Sequence, residues 1–529
     1  MTEITGMNLI GFEESSNGKI TFFGKDPSNN KDLPTAFHEA TKEEINLAVN
    51  KAESAFSMFQ RISASDRALL LETIADEIQN LGEQLIECCM LETALPQARL
   101  TGERGRTVGQ LRLFAGVVRE GSWVDARIET AVPDRQPLPK SDIRQMLVPL
   151  GPVGIFGASN FPLAFSVAGG DTASALAAGC PVVAKAHPLH PGTSELVGRA
   201  IVTAIKKLKM PEGIFSLIQG KSNDTGMAIV THPKITAIGF TGSFRGGKAI
   251  FDAANRREVP IPVYAEMGSV NPVFILPGAM KQRNTEIAKD LVGSFTLGVG
   301  QFCTNPGVVV TIDGAKTEEF NQVLAAKTKD VASGTMLSSN IKKSFTAGVS
   351  KLMNSKDVKL LASSFGTEDE NKVQAKVFTT TADVFNNNRD LAEEVFGPST
   401  LTITGKNREE VLKVAENLDG HLTATIHGTP EDLVEYAELL NILKRKVGRL
   451  IFNGFPTGVE VCHAMTHGGP YPATADSRTT SVGTLAIKRF VRPVSFQDFP
   501  DSALPVELKN TNPMGIWRMV NGEMTKNPI

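Results

Sequence analysis

Apolar residues recur every three or four positions from Lys42 to about Val118. This spacing places them on one face of a helix, so the segment predicts long amphipathic helices. Ser63, in a run of capping residues that ends at Asp66, predicts the start of the second helix. Residues 1–50 are polar and carry turn signals, and we expect few strands there.

The pattern changes at Leu147, where short apolar runs begin to alternate with helical periodicity. It predicts strands at 153–157, 181–185, 214–218, 235–240 and 263–265, and helices at 163–178, 193–208, 225–231 and 247–254. Such alternation argues for a parallel sheet with helices on both faces. Sheets of this kind bind ligands at the carboxyl ends of their strands, commonly a dinucleotide. A second α/β stretch runs from about 271 past 450, whereas the tail after about 490 has no periodicity of its own.

Length and charge narrow the class of protein. A chain of 529 residues is longer than one core usually supports, which favours two or three domains. The 55 Lys and Arg residues nearly balance the 57 Asp and Glu residues, so we expect neither nucleic acid nor a membrane as partner. No run approaches the roughly 18 apolar residues of a membrane span. The N-terminus also lacks the basic and apolar regions of a secretory signal.

The cysteines point to a reducing compartment. There are five: Cys88, Cys89, Cys180, Cys303 and Cys462. They are too few and too scattered for a disulfide framework, and none forms a C-x-x-C pair. We therefore expect a cytoplasmic protein without a metal site.

Cys303 differs from the other cysteines because it lies in the glycine-flanked turn 298–307. A thiol in such a turn, reachable by the carboxylate of Glu266 and by the segment Asn160-Phe161-Pro162, is what covalent oxidation of an aldehyde needs. Taken singly, each residue has a plainer interpretation. A cysteine is often a small buried hydrophobe, Glu266 could be an exposed charge at a strand end, and Asn160 could be a turn residue.

A glycine-rich turn supplies a candidate coenzyme site. The segment 239–247 contains Gly242, Ser243 and Gly247, follows a predicted strand and opens a predicted helix. Backbone amides at such a helix start can approach a pyrophosphate. The segment is not the G-x-G-x-x-G fingerprint, and by itself it could be a structural turn.

Six motifs together resemble the aldehyde dehydrogenase superfamily over nearly the whole chain. They occur in the family's order and at about its spacing: Gly157-Ala158-Ser159-Asn160-Phe161-Pro162, Val183-Ala184-Lys185, Phe240-Thr241-Gly242-Ser243, Ala265-Glu266-Met267-Gly268, Gly300-Gln301-Phe302-Cys303 and Glu393-Glu394-Val395-Phe396-Gly397-Pro398.

The resemblance implies a role for each matched residue. Cys303 would attack the aldehyde, and Asn160 with the Cys303 backbone N–H would hold the oxyanion. Glu266 would be the general base for hydrolysis of the thioester. Phe156, Lys185, Glu394 and Phe396 would join the turn residues in the coenzyme site, with Lys185 on the adenosine ribose and Glu394 on the nicotinamide ribose.

The resemblance also bears on which coenzyme is used. Many family members carry a glutamate three residues after the matched lysine, but here Pro188 stands there. Loss of that carboxylate should admit a 2′-phosphate, which Lys221 could approach, although Lys221 could equally be a solvated surface lysine. We expect NADP to be preferred and NAD to be tolerated.

The substrate is less directly encoded. The segment Thr466-His467-Gly468-Gly469 replaces the family's common Pro-Phe-Gly-Gly, and with the tail it resembles the subgroup of α-ketoglutaric semialdehyde (2,5-dioxovalerate) dehydrogenases. Arg106, and beside it Arg104, lie on the helix that lines the family's substrate tunnel, where a cation could bind a carboxylate. Arginines on such a helix are also often solvated. Phe161, Phe165 and Phe455 are predicted to wall the tunnel, with core packing as the alternative for Phe165.

These observations predict an α/β, aldehyde dehydrogenase-like protein. A Rossmann-type parallel-sheet coenzyme domain would comprise 1–124 and 151–265, an α/β catalytic domain 266–489, and a small β oligomerisation element 125–150 and 490–529. The resemblance implies a homodimer or homotetramer. It also implies NAD(P)-dependent oxidation of an aldehyde to a carboxylic acid, with α-ketoglutaric semialdehyde converted to 2-oxoglutarate as the favoured reaction. Alternatives are a general or long-chain fatty aldehyde dehydrogenase preferring NADP, and a catalytically silent scaffold. A coenzyme A acylating relative would not need the base Glu266.

Overall fold

Three sheets organise the computed structural model, which describes residues 2–529. Two of the sheets have seven strands, the third has five, and two small two-stranded ribbons complete the β structure of the described residues.

The strands are short and follow one another along the whole chain. They are β1 (Asn8–Ile10), β2 (Glu13–Ser15), β3 (Thr21–Asp26), β4 (Lys31–His38), β5 (Arg127–Glu129), β6 (Ile143–Pro149), β7 (Val153–Phe156), β8 (Val182–Lys185), β9 (Phe215–Ile218), β10 (Ala237–Thr241), β11 (Val263–Glu266), β12 (Val273–Ile275), β13 (Val308–Ile312), β14 (Gly334–Thr335), β15 (Lys359–Ser363), β16 (Lys372–Val373), β17 (Lys376–Thr381), β18 (Ser399–Gly405), β19 (His421–His427), β20 (Val447–Phe452), β21 (Val491–Gln497), β22 (Arg518–Val520) and β23 (Glu523–Thr525).

The α-helices fill the intervals between the strands. They are α1 (Lys42–Phe59), α2 (Ala64–Asn80), α3 (Gly82–Thr93), α4 (Gln97–Glu120), α5 (Gly170–Ala178), α6 (Pro191–Lys207), α7 (Asn223–Val230), α8 (Phe244–Asn255), α9 (Pro277–Thr296), α10 (Ala315–Lys329), α11 (Ser339–Asn354), α12 (Ala382–Asn387), α13 (Arg408–Asn417), α14 (Pro430–Glu435) and α15 (Ala437–Leu443). The Ser63 side chain caps α2 by accepting a hydrogen bond from the Asp66 N–H, as predicted.

The first sheet has the order β11-β10-β7-β8-β9-β1-β2 and is parallel from β11 to β9. One apolar core joins its first face to α2, α4, α5 and α6, and another joins its second face to α1, α7 and α8. From β7 the chain continues outward on one side to β8 and later on the other side to β10. This reversal creates a crevice at the carboxyl ends of β7 and β10, where doubly wound sheets bind dinucleotides.

The second sheet has the order β15-β17-β18-β13-β12-β19-β20 and is parallel except for β15. Apolar cores cover both of its faces. The Cys303 loop precedes β13 and Glu394 precedes β18, so both lie at amino ends of this sheet. Glu266, in contrast, ends β11 of the first sheet. The carboxyl edge of one sheet therefore faces the amino edge of the other.

The third sheet joins distant parts of the chain in the order β21-β6-β5-β22-β23. Its small core combines residues such as Ile128 and Met146 with Leu504, Leu508 and Ile516 of the tail. The tail thus has no core of its own, in agreement with its lack of periodicity. The division of the chain into three domains at the predicted boundaries stays a prediction.

Two expectations about local structure were wrong. Residues 8–38 form four strands: β1 pairs with β2 and with β9, the last strand of the parallel part of the first sheet, and β3 pairs with β4. β1 and β2 have three residues each, and β3 and β4 have few buried positions, so the apolar signal of all four is weak. The helix expected from Leu163 begins only at Gly170. The backbone amides of Leu163 and Ala164 donate to the buried Glu103 carboxylate instead of continuing a helix.

Within the described part of the chain, no helix combines the length and the apolar character required to cross a membrane.

Candidate active site

The Cys303 loop makes an unusually tight turn before β13. Gly298, Val299 and Gly300 all have positive φ angles, of 56°, 60° and 63°. This conformation is costly for a β-branched residue such as Val299, so surrounding contacts must impose it. A Cβ atom on Gly300 would lie 2.3 Å from the Gly397 carbonyl group. Glycine at 300 therefore lets the loop press against the Gly397-Pro398 segment.

Asn271 holds this loop from the start of β12. Its side-chain amide donates to the carbonyls of Cys303 and Asn305 at 2.8 and 2.9 Å. Asn305 in turn donates to the Gly397 carbonyl at 3.2 Å. The backbone of the cysteine is consequently fixed from both sides. Asn271 lies outside the six motifs, so these contacts were not predicted from the sequence.

The thiol of Cys303 lies beside a histidine and a carboxylate. Its Sγ is 3.5 Å from Nε2 of His467, and that nitrogen is 2.9 Å from Oε1 of Glu266. Ser481 donates its hydroxyl to the other Glu266 oxygen at 2.5 Å. Glu266 and His467 are buried, whereas Cys303 is partly exposed and so can be reached. The structure brings Cys303 and Glu266 together as predicted, and it adds His467 and Ser481.

Burial and neighbouring charges set the protonation of this cluster. Burial raises the pKa of the Cys303 thiol well above its usual value, the adjacent Glu266 carboxylate raises it further, and Arg106 opposes both. Burial would also raise the pKa of Glu266. The adjacent His467 ring, the hydrogen bond from Ser481 and the neighbouring Cys303 thiol outweigh burial and hold this pKa below its usual range. The carboxylate is thus ionised while the resting thiol keeps its proton.

Asn160 is buried next to the same loop. Its side-chain amide donates to the Gln301 carbonyl at 3.0 Å, two residues before Cys303. Arg99 donates to the Asn160 carbonyl at 2.6 Å, and its guanidinium stacks between the rings of Phe161 and Phe302, 5.0 and 4.7 Å from their centroids. Arg99 had no signal in the sequence, because it belongs to none of the six motifs.

Arg106 is on α4 and lies near the cluster formed by Cys303, Glu266 and His467. Its guanidinium lies 5.1 Å from the centroid of Phe165, whose ring also packs against His467 at 5.9 Å. Nε and Nη2 of Arg106 are buried and have no hydrogen-bond partner among the described residues. Burial lowers the pKa of Arg106, while the charges of Glu103, Cys303 and Glu266 act in the opposite direction. A partly buried cation therefore lies within electrostatic reach of the thiol.

The structure does not bring two other predicted residues into this cluster. Arg104 donates to the Gly82 carbonyl at 2.7 Å, which directs it toward α3. Residues two apart on a helix point about 200° apart, so Arg104 and Arg106 cannot both face the thiol, and the expectation for Arg104 needs correction. The Phe455 ring packs against His427 at 4.8 Å, and no described ring contact joins it to Phe161 or Phe165.

The predicted coenzyme residues surround the crevice of the first sheet. Phe156 ends β7 and Lys185 ends β8. Gly242 and Ser243 follow β10, and Ser243 caps α8 by accepting the Gly246 N–H at 3.2 Å. A Cβ atom on Gly247 would lie 2.7 Å from Met267, so glycine allows α8 to pack closely. The helix start presents its free amides to the crevice, a geometry that fits a pyrophosphate.

Lys185 also fits a ribose-binding role. Its ammonium group donates to the Gly220 carbonyl, and burial lowers its pKa to about 8 against the opposing charge of Glu39. Position 188 carries no carboxylate, as noted from the sequence, but the carboxylate of Glu39 lies near Lys185 instead. That carboxylate already accepts hydrogen bonds from Lys221, Ser222 and Thr225, and Lys221 itself is exposed.

Glu394 and Phe396 line one cavity with Ser269 and Asn305. Although Glu394 borders an open cleft, its carboxylate turns inward against Gly268, where an added Cβ atom would lie 2.4 Å from Oε2. This desolvation raises the pKa of Glu394 to about 7, against a hydrogen bond from the Ser269 amide.

A dinucleotide crevice that opens toward a thiol and an ionised carboxylate defines a nicotinamide-dependent dehydrogenase that acts through a cysteine. The chain belongs to the aldehyde dehydrogenase family, whose model matches residues 14–472. It is an oxidoreductase that acts on aldehydes, as predicted. The family uses NAD or NADP.

Two curated relatives align with almost the entire chain. One is alpha-ketoglutaric semialdehyde dehydrogenase 2 of Azospirillum brasilense, 48% identical over 522 residues, covering 98% of this chain and 99% of the relative. The other is alpha-ketoglutaric semialdehyde dehydrogenase of Acinetobacter baylyi, 45% identical over 528 residues, covering 100% of each. The predicted resemblance to this subgroup is confirmed.

Solved structures confirm the predicted fold class. A betaine aldehyde dehydrogenase variant from Staphylococcus aureus, in complex with NAD+, superimposes with a TM-score of 0.80 at 19% identity, covering 96% of this chain and 99% of that one. An aldehyde dehydrogenase variant from Bacillus cereus gives a TM-score of 0.79 at 23% identity, covering 93% and 96%.

The close approach of the Cys303 loop to Gly397 predicts that Gly300→Ala lowers activity by at least about 100-fold. The added Cβ must displace either the loop or the Gly397 carbonyl, and a displacement of 1 Å can cost this much in rate. Initial rates of aldehyde oxidation measure the effect.

Gly293→Ala is the matched control, since a Cβ there meets nothing within 4 Å and the residue lies in α9. Alanine within a helix should be neutral or slightly stabilising. Equal activity of Gly300→Ala and the unmodified protein would contradict the claim that this contact positions the cysteine.

Proposed function

We propose that this protein oxidises α-ketoglutaric semialdehyde to 2-oxoglutarate, with NADP preferred and NAD tolerated. Two relatives that align over almost the full chain are named for dehydrogenation of this semialdehyde. The proposal rests on one structural observation, the partly buried Arg106 guanidinium, whose buried Nε and Nη2 have no described partner and whose charge interacts with the thiol.

The Arg106 cation suits a substrate with a carboxylate at the end remote from the aldehyde. A buried charge without a partner is costly, and a pair formed with a carboxylate offsets that cost. Guanidinium and carboxylate can also form two parallel hydrogen bonds, which orient the bound molecule. Nε and Nη2 of Arg106 have no described partner that would compete for this pairing. A long-chain aldehyde would place methylene groups against the cation, which disfavours that alternative.

The geometry around Cys303 supports the following catalytic roles. The thiolate attacks the aldehyde carbon, and the oxyanion that forms is stabilised by the Asn160 amide and the Cys303 backbone N–H. Bound nicotinamide supplies a hydride acceptor for the oxidation. Glu266, ionised at rest, then takes a proton from the water that hydrolyses the thioester. The Ser481 hydroxyl holds one Glu266 oxygen, and the other, Oε1, lies 2.9 Å from Nε2 of His467.

The preference for NADP rests on the corner around Lys185. No carboxylate follows this lysine at the third position, where Pro188 stands. Glu39 is nearby, but it is already bound to amides and hydroxyls of the 221–225 segment and is not free to take ribose hydroxyls. The exposed Lys221 ammonium group can therefore pair with a 2′-phosphate.

We further propose that the third sheet joins two copies of the chain into a homodimer, from which a homotetramer can form. Strands β21 and β23 are the edges of this sheet, and β21 is largely exposed. Exposed edges readily pair with a strand from another chain.

The substrate proposal predicts that Arg106→Leu lowers kcat/KM for α-ketoglutaric semialdehyde at least roughly 30-fold. This factor corresponds to the lower end, about 2 kcal/mol, of the cost of removing one partner from a buried charge pair. Activity toward the neutral pentanal should be unchanged or raised, because no charge is then left unpaired. Initial rates of NADPH formation with both aldehydes test this.

Arg112→Gln on the exposed face of the same helix is the control and should leave both rates unchanged. Cys303→Ala gives the blank, with no turnover expected. The substrate assignment fails if the unmodified enzyme prefers pentanal or decanal to the keto acid aldehyde, or if Arg106→Leu affects both aldehydes equally.

The coenzyme proposal predicts that Lys221→Ala lowers kcat/KM for NADP about tenfold and leaves the value for NAD unchanged. A hydrogen bond to a charged group contributes about 1.5–3 kcal/mol, and only NADP carries the phosphate. Lys327→Ala, an exposed lysine on α10, should change neither value. A higher kcat/KM for NAD in the unmodified enzyme would refute the preference.

The assembly proposal predicts a solution mass of two or four times the 56.8 kDa chain. Light scattering coupled to size-exclusion chromatography measures this mass directly. A mass of one chain over the accessible range of concentrations would contradict the proposed pairing.

A further inference from the structure

His467 is a buried histidine at a position that the family's common segment fills with phenylalanine. Sequence comparison of the motifs marked Thr466-His467-Gly468-Gly469 only as a departure from Pro-Phe-Gly-Gly. In the structure its imidazole is fully buried and lies between the nucleophile and the general base. The His467 N–H donates to the Thr480 hydroxyl, and the His467 carbonyl accepts from the Ser481 N–H. The Phe165 ring packs against the imidazole. The imidazole is therefore held in one place.

The orientation of the His467 ring favours a hydrogen bond with Cys303 over one with Glu266. Nε2 satisfies hydrogen-bond geometry with Sγ of Cys303 at 3.5 Å. Oε1 of Glu266 is closer, at 2.9 Å, yet it accepts no hydrogen bond of suitable geometry. The nitrogen therefore points at the sulfur. Nδ1 is also buried and has no partner among the described residues, so it does not compete for the role of Nε2.

The thiol needs a proton acceptor before it can attack. Its surroundings favour the neutral form, since the site is buried and the Glu266 carboxylate is adjacent. Glu266 could take this proton, but it would then have to lose it before acting on water. A second acceptor at hydrogen-bond distance removes this conflict.

We propose that His467 accepts the Cys303 thiol proton at Nε2 and returns it to the same sulfur when the thioester is hydrolysed. This inference rests on the proposed cysteine mechanism but not on which aldehyde is the substrate. His467 thus touches a reacting atom and is a further catalytic residue.

The proton balance of this proposal closes. Breaking the S–H bond places one proton on Nε2 and leaves the thiolate, so the net charge of the site does not change. The thiolate forms the bond to the aldehyde carbon, and that carbon then loses its hydrogen as hydride, for which bound NAD or NADP would be the acceptor, which leaves the thioester. Water later attacks the thioester, gives one proton to Glu266 and releases the carboxylic acid. As the C–S bond breaks, the imidazolium protonates the departing thiolate, and Glu266 and the acid each lose a proton to solvent.

Several charged groups surround Cys303 and His467, the two residues that exchange the proton. Glu266 lies beside both groups, Asp171 acts on Glu266, and Glu394 acts on the thiol. Arg106 and Arg449 are the nearby cations whose charges interact with Cys303. These cations favour the thiolate, and they remain present in variants of His467.

The test is the pH dependence of Cys303 alkylation by iodoacetamide, followed by mass spectrometry of the Cys303 peptide. Cys303→Ala provides the background from the other cysteines. We expect His467→Phe and His467→Gln to lower the alkylation rate at pH 7 at least about tenfold and to move the profile to higher pH, because only thiolate reacts. His467→Gln keeps a polar side chain that cannot accept a proton, so it separates proton transfer from positioning.

His463→Gln, an exposed histidine four residues earlier, should leave the profile unchanged. The proposal is overturned if both His467 variants, shown to be folded by circular dichroism, have the profile of the unmodified protein. It is also overturned if Glu266→Gln causes the loss of reactivity and the His467 variants do not, because Glu266 would then be the acceptor. Neither outcome depends on the substrate assignment, since no aldehyde is present.

Discussion

Burial of an ionised carboxylate beside a thiol is the constraint on which this site depends. Desolvating such a charge costs several kcal/mol unless hydrogen bonds and opposite charge offset it. For Glu266 the hydrogen bond comes from Ser481, and the polar ring beside it is that of His467; both residues lie about 200 residues further along the chain. The returning segment pairs its backbone with β11, since Glu266 bridges Thr474 and Met267 donates to the Ala473 carbonyl. Residues 467–481 must therefore return to β11, because they supply the polar contacts of the buried Glu266 carboxylate.

The chain just after this segment is fixed to the first sheet by a second buried charge pair. Arg489 binds Asp171, donates to the Tyr264 carbonyl at 2.7 Å and stacks on the Tyr264 ring. Removing one member of such a pair leaves an uncompensated buried charge. β21 begins two residues later, so this pair also connects the active site to the third sheet. A contact between subunits at β21 would therefore be linked to Glu266 through Arg489 and the chain that precedes it.

The sequence predicted elements whose signal is local and missed those that depend on distant partners. The apolar runs at 153–157 and 181–185 became β7 and β8, because buried parallel strands are continuously hydrophobic. β1 escaped prediction because its pairing with β9 is not local. β2, β3 and β4 pair locally but have few buried residues to signal a strand. In the site, motifs identified Cys303 and Glu266. Arg99, His467 and the approach of Glu39 to Lys185 depend on contacts that only the folded chain creates.

His467 also illustrates why departures from a motif carry functional information. A phenyl ring at this position would need no hydrogen bonds, whereas an imidazole buried with an unpaired Nδ1 costs about 1–3 kcal/mol. Packing alone does not compensate for that cost, since a phenyl ring fills similar space. A residue that is less stable than its apolar replacement is better explained by what its polar atoms do. Here the one directed contact of the ring is from Nε2 to the nucleophilic sulfur, so the cost is linked to the reactivity of Cys303.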